Sequence, residues 1–125
     1  MAHILIAEDD DGVRGVIKRI LDKAGHKISE ASNGKTAIDI CSGSNPPDLI
    51  ITDIIMPDKE GLETIKEIKS ASPGIKIIAI SGGGRIGPMT YLELAKKLGA
   101  NGTLTKPFLP KDLTKVVEEV LQSES

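Results

Sequence analysis

Four short apolar runs each end in residues able to share one reaction. Ile4-Leu5-Ile6-Ala7 leads into Glu8-Asp9, Leu49-Ile50-Ile51-Thr52 into Asp53, Ile77-Ile78-Ala79-Ile80 into Ser81, and Thr103-Leu104-Thr105 into Lys106-Pro107. If these runs are parallel neighbouring strands, three carboxylates, a hydroxyl and an ammonium meet at one sheet edge. That edge, outside the carboxyl ends of the strands, is where open α/β sheets bind ligands. Glu8, Asp9 and Asp53 against Lys106 leave two uncompensated negative charges, the complement of one divalent cation. Carboxylates this close repel unless protonated or metal-bound. A hard, all-oxygen site that keeps water and meets a phosphate suits Mg²⁺. Within it Asp53 would be a nucleophile towards phosphorus, splitting one transfer into two easier steps. Metal and Lys106 would offset charge on the transferring oxygens, and Ser81 could donate a hydrogen bond to one of them. Each residue also has a plainer reading. Glu8 and Asp9 could serve a helix N-terminus, although Asp10 and Asp11 sit closer to it. Ser81 alone would be a turn residue before glycine. Gly82-Gly83-Gly84 is a weak phosphate-loop signal, because no Walker-type lysine follows it.

The elements that must position these residues alternate along the chain. Asp11 is a plausible cap for a first helix whose Val13, Val16, Ile17, Ile20 and Leu21 repeat at helical spacing, and Gly25 ends it. Lys27 to Ala31 alternates as a half-exposed strand. Ala37, Ile40 and Cys41 mark one face of a second helix, broken by Asn45-Pro46-Pro47. Asp48 to Thr52 is nearly all apolar, as a strand buried on both faces should be. Leu62, Ile65 and Ile68 face inward from a third helix, and Ser72-Pro73-Gly74 turns into the fourth strand. Tyr91, Leu94, Ala95 and Leu98 line a fourth helix closed by Gly99, and Leu113, Val116, Val117, Val120 and Leu121 line the last. Alternation of five strands with five helices predicts a parallel sheet between helical layers, a flavodoxin-like (βα)5 three-layer sandwich. The second and fifth strands are the more polar and belong at the edges, which fits the order 2-1-3-4-5.

Composition narrows the function classes. A chain of 125 residues, 39% hydrophobic and 27% charged, suits one soluble domain, here 1-125. Its apolar runs are of strand length, so no membrane span is expected. No basic stretch precedes an apolar one at Met1-Ala2-His3, so no secretory signal is expected. The single cysteine, Cys41, excludes an internal disulfide and fits a reducing, cytoplasmic compartment. A formal net charge of −2 argues against direct binding of nucleic acid. Tyr91 and Phe108 are the only aromatics, too few to stack a flavin or bases. His3 and His26 have no neighbouring ligand in sequence and read as surface residues. Asp48 and Asp58 read as lying outside the site.

The motifs together resemble a response-regulator receiver domain of two-component signalling, chemotaxis-regulator-like, over essentially the whole chain. They are the acid pair Glu8-Asp9, Asp53 in Asp-Ile-Ile-Met-Pro-Asp, Ser81 before small residues, Leu98-Gly99-Ala100 and Lys106-Pro107-Phe108. The resemblance implies that Asp53 accepts a phosphoryl group from a phosphohistidine of a sensor histidine kinase. It implies Mg²⁺ held by Asp9, Asp53 and the main-chain carbonyl of Ile55, with Glu8 acting mainly through water. Lys106 would contact the phosphoryl group, Ser81 would move towards it on activation, and the Lys106-Pro107 bond would be cis. The output would be a downstream effector or a fused output domain, reached by a monomer or a phosphorylation-dependent dimer. Such a domain is a signalling receiver that catalyses its own phosphorylation and dephosphorylation, not a turnover enzyme. Two departures are visible. Thr103 stands where the family usually has an aromatic, so a rotating ring cannot report phosphorylation, and the Gly82 to Gly87 loop is expected to move instead. Ile55 stands where the family often has a polar residue, which predicts a long-lived phosphoryl group and outweighs Gly83, which pulls weakly the other way by leaving the water's path open. A phosphatase working through an aspartyl phosphate, a pseudo-receiver and a flavodoxin-like carrier are the alternatives.

Overall fold

A computed structural model describes residues 2–54, 61–82, 85–86 and 89–123. The strands are β1 (His3–Ala7), β2 (Lys27–Ala31), β3 (Leu49–Asp53), β4 (Lys76–Ser81), β5 (Arg85–Ile86), β6 (Met89–Thr90) and β7 (Gly102–Thr105). The helices are α1 (Asp11–Lys23), α2 (Gly34–Cys41), α3 (Gly61–Ala71), α4 (Tyr91–Lys97) and α5 (Pro110–Gln122). Five strands form one parallel sheet in the order β2-β1-β3-β4-β7, the predicted 2-1-3-4-5 order with β7 as the fifth strand. The position of β3 at its centre explains its composition, since all of its residues are buried. The polar strands β2 and β7 are the edges.

Period-two alternation splits the strand side chains between two cores. Ile4, Ile6, Leu49, Ile51, Ile78 and Ile80 pack with Ile17 and Leu21 of α1 and Leu113, Val117 and Val120 of α5. The intervening Leu5, Ala7, Ile50, Ile77 and Ala79 pack with Ala37 and Cys41 of α2, Ile65 and Ile68 of α3 and Ala95 of α4. The sheet is thus sealed on both faces, as parallel sheets require. Removing one of these buried isoleucines to alanine costs about 2–5 kcal/mol.

Local signals end the elements. Asp10, not Asp11, caps α1: its side chain accepts from Val13 N at 3.0 Å, and Asp11 is already helical. Gly25 and Gly99 adopt positive φ, 90° and 117°, after α1 and α4, a conformation other residues rarely enter. Within the segment Gly82 to Gly87, expected to move on activation, Arg85 and Ile86 pair antiparallel with Thr90 and Met89, so β5 and β6 form a small two-stranded sheet. Apolar periodicity cannot flag strands of two residues. Thr90 then caps α4, its Oγ1 accepting from Glu93 N at 3.1 Å while Glu93 Oε1 accepts from Thr90 N at 3.2 Å.

Candidate functional site

Strand register brings the site together. Ala7 aligns with Thr52, Thr52 with Ala79, Asp53 with Ile80, and Ser81 with Thr105. The strands therefore end at one level, and Glu8, Asp53, Ser81 and Lys106 emerge along one edge. Lys106 reaches across it, its Nζ lying 2.7 Å from Asp53 Oδ2 and 2.7 Å from Glu8 Oε1. The backbone at Lys106 is fixed by its own N–H, which donates to Ser81 O at 2.8 Å. Lys106-Pro107 is cis, as expected. Glu8, Asp9 and Asp53 each offer an oxygen, and these lie within 4.8 Å of one another. Glu8 is 2% exposed and Asp53 8%, whereas Asp9 is exposed. Ser81 is fully buried at the end of β4, on the strand beside Asp53.

The electrostatics follow from burial. Desolvation dominates at Glu8 and pushes its carboxyl up from 4.5 to about 7; the hydrogen bond from Lys106 opposes this and the charge of Asp53 adds to it. Burial disfavours the Lys106 ammonium, but hydrogen bonds to Asp53 and Glu8 outweigh it and hold the group above its usual value. Both carboxylates lean on this one cation, and it stays charged while Glu8 sits at the edge of taking a proton. An all-oxygen cluster of three carboxylates, one of them raised by crowding and burial, fits a hard divalent cation.

Two features of the site have no counterpart in the sequence reading. The N-terminus of α3 presses on the residues that follow β3: Gly61 N donates to Ile54 O at 2.7 Å. A Cβ at Gly61 would overlap Asp53 O and the backbone of Ile54, so only glycine lets this helix close against the strand that ends in Asp53. Arg14 of α1 donates from Nη1 to the main-chain carbonyl of Glu8 at 2.7 Å. The only sequence hint was a basic residue in a first turn, where acidic ones are favoured.

Among the described residues, the edge holding Glu8, Asp9, Asp53 and Lys106 is the one acidic cluster that can hold a metal. The chain matches the response regulator receiver domain family over residues 4–118. It belongs to that family. The receiver is 32% identical to the chemotaxis protein CheY of Halobacterium salinarum, over 95% of this chain and 96% of that one. It is 38% identical to the DNA-binding transcriptional regulator NtrC of Azospirillum brasilense over 99% of this chain, but spans a quarter (25%) of that protein's length. A CheY-like receiver domain protein from Methanospirillum hungatei superposes with a TM-score of 0.85 at 26% identity, covering 95% of this chain and 92% of that one. Receivers are the phosphoacceptor domains of two-component systems, signalling modules and not turnover enzymes, and this chain is one of them.

The remaining expectations divide. Ile55, Met56, Pro57 and Asp58 lie outside the described residues, as do Gly83, Gly84 and Gly87. Thr103 lies on β7 opposite Ala79 and borders a cleft of about 250 Å³ with Lys96, Asn101, Val116 and Val120. Asp48 is indeed away from the site, accepting from His3 N at 2.9 Å near the other end of the sheet. His3 is not a plain surface residue: it is half-buried, its Nε2 is 2.7 Å from Ser29 Oγ, and its Nδ1 is buried with no hydrogen-bond partner among the described residues. The Cys41 thiol is buried in the core and burial pushes it up to about 11, which disfavours the reactive thiolate. No helix among the described residues is long and apolar enough to cross a membrane.

Proposed function

We propose that Asp53 is the phosphoacceptor of a receiver domain occupying 1-125, loaded by the phosphohistidine of a sensor histidine kinase. The observation that carries this reading is the approach of Lys106 Nζ to Asp53 Oδ2 at 2.7 Å, beside Glu8 and Asp9. In the transfer a carboxylate oxygen of Asp53 bonds to phosphorus as the phosphorus–nitrogen bond breaks. The imidazole, protonated at its other nitrogen, leaves neutral. Glu8, Asp9 and Asp53, with the main-chain carbonyl of Ile55, are the groups that would hold Mg²⁺. The metal supplies charge neutralisation for the phosphoryl oxygens. Lys106 already lies on the carboxylate that becomes the acyl phosphate, so its ammonium is placed to follow the charge onto the phosphoryl oxygens. Ser81, one residue beyond the partner of Asp53 on β4, donates its hydroxyl to the adduct. The output is binding of a downstream effector or a fused output domain in the cytoplasm, as a monomer or a phosphorylation-dependent dimer.

The test is incubation with acetyl phosphate and Mg²⁺, followed by mapping of the adduct by mass spectrometry. A single phosphoryl group is expected on Asp53, with none in excess chelator and none in Asp53→Ala. Full modification of Asp53→Ala overturns the assignment.

A further inference from the structure

We infer that Arg14 is the positioning residue of the acidic cluster, setting the peptide between Glu8 and Asp9 so that both carboxylates can serve one divalent cation. This rests on the reading of Glu8, Asp9 and Asp53 as a metal site. Consecutive residues in extended chain point to opposite sides. For Glu8 and Asp9 to offer oxygens to one point, the peptide joining them must be held in a single orientation. Its carbonyl is the Glu8 oxygen that Arg14 Nη1 contacts at 2.7 Å. The preceding peptide is held as well, since Glu8 N donates to Ala31 O at 3.0 Å.

Arg14 is in turn fixed by its surroundings. Its side chain is 16% exposed, Nε donates to Glu30 Oε1 on β2 at 3.2 Å, and Nη2 pairs with Asp11. The Asp11 partner is 88% exposed, so that pair contributes little. Three donors on one planar group thus tie the β1–α1 loop to α1 and to β2. Lysine, with one flexible point charge, cannot reproduce that fork. The side chain of Glu8 is held by Lys106 and its main chain by Arg14, which leaves Asp9, the exposed member, to swing only about a fixed backbone.

A positioning role and a mere charge effect predict opposite signs. A cation near a metal site repels the metal, so removing it would tighten binding if charge were all that mattered. Removing a group that orients ligands loosens binding, typically by tenfold or more. Wild type, Arg14→Gln, Arg14→Lys and Glu30→Gln are titrated with Mg²⁺ alone by calorimetry, with thermal unfolding in chelator as the control for folding. About tenfold weaker binding is expected in Arg14→Gln, a smaller loss in Arg14→Lys, and a smaller one again in Glu30→Gln. Arg14→Gln binding Mg²⁺ as tightly as wild type, or tighter, overturns the inference. Should Arg14→Gln not fold, Arg14→Lys decides, and wild-type affinity there overturns it. A wild-type protein that does not bind Mg²⁺ overturns the metal site itself, whereas a binding wild type matched by its variants removes only the role of Arg14.

Discussion

Lys106 carries the site at the level of single residues, because its ammonium bonds both of two buried carboxylates that repel each other. Lys106→Ala is expected to keep Mg²⁺ binding, since metal can replace the lost ammonium between Glu8 and Asp53. It should blunt the amide shift changes that beryllofluoride, a phosphoryl mimic, induces in wild type. Loss of Mg²⁺ binding by calorimetry would contradict this. Glu8 sets a pH dependence. Its carboxyl is raised from 4.5 to about 7 in the folded protein, so the folded state binds the proton more tightly than the unfolded chain. That contribution to stability is fully present below about 4.5 and is lost as pH rises through about 7. Urea unfolding in chelator should therefore show stability falling across this window, and Glu8→Gln should flatten the fall.

Gly61 and the β5–β6 pair matter at the level of elements. α3 can start where it does only because position 61 lacks a side chain against Asp53 and Ile54. Gly61→Ala is expected to cost about 3 kcal/mol in denaturant unfolding and to slow phosphorylation by acetyl phosphate. A variant with wild-type stability and rate would show that the helix shifts freely. Thr90 links the β5–β6 pair to α4, since it both pairs with Arg85 and caps the helix. With Thr103 in place of a ring, little bulk can move on β7. Beryllofluoride should thus shift the amides of Thr90 and α4 more than those of β7. Repacking of β7 with Thr90 unmoved would reverse the order proposed.

With the acidic edge read as a Mg²⁺ site, the stability of the whole molecule is expected to depend on the cation. Whatever binds the folded chain and not the unfolded one stabilises it, by about 2.7 kcal/mol at a hundred times the dissociation constant. Mg²⁺ should raise the thermal midpoint of wild type. Asp9→Ala should lose that rise yet match wild type in chelator, because Asp9 is exposed and outside both cores. A lower midpoint for Asp9→Ala in chelator would mean that the residue supports the fold as well as the metal. The two cores meet the edge at β3, whose apolar residues feed both and whose last residue is Asp53.

The sequence by itself determined the sheet and most of its edge chemistry. Strand ends are marked by a switch from apolar to charged residues, as at Ala7 to Glu8 and Thr52 to Asp53, and burial on both faces leaves an unmistakable apolar run. Polar edge strands then fixed the order. Tertiary structure decided what depends on distance between remote positions. That Lys106 serves Glu8 as directly as Asp53 follows from strand register. That Asp10 caps α1 and not Asp11 depends on one backbone dihedral pair, φ −79° and ψ 113°. Arg14 and Gly61 act on main-chain atoms of other elements, through a donor and through an absent side chain. Residue type does not record such contacts, because a carbonyl looks the same in every residue and only the fold says which one lies within reach.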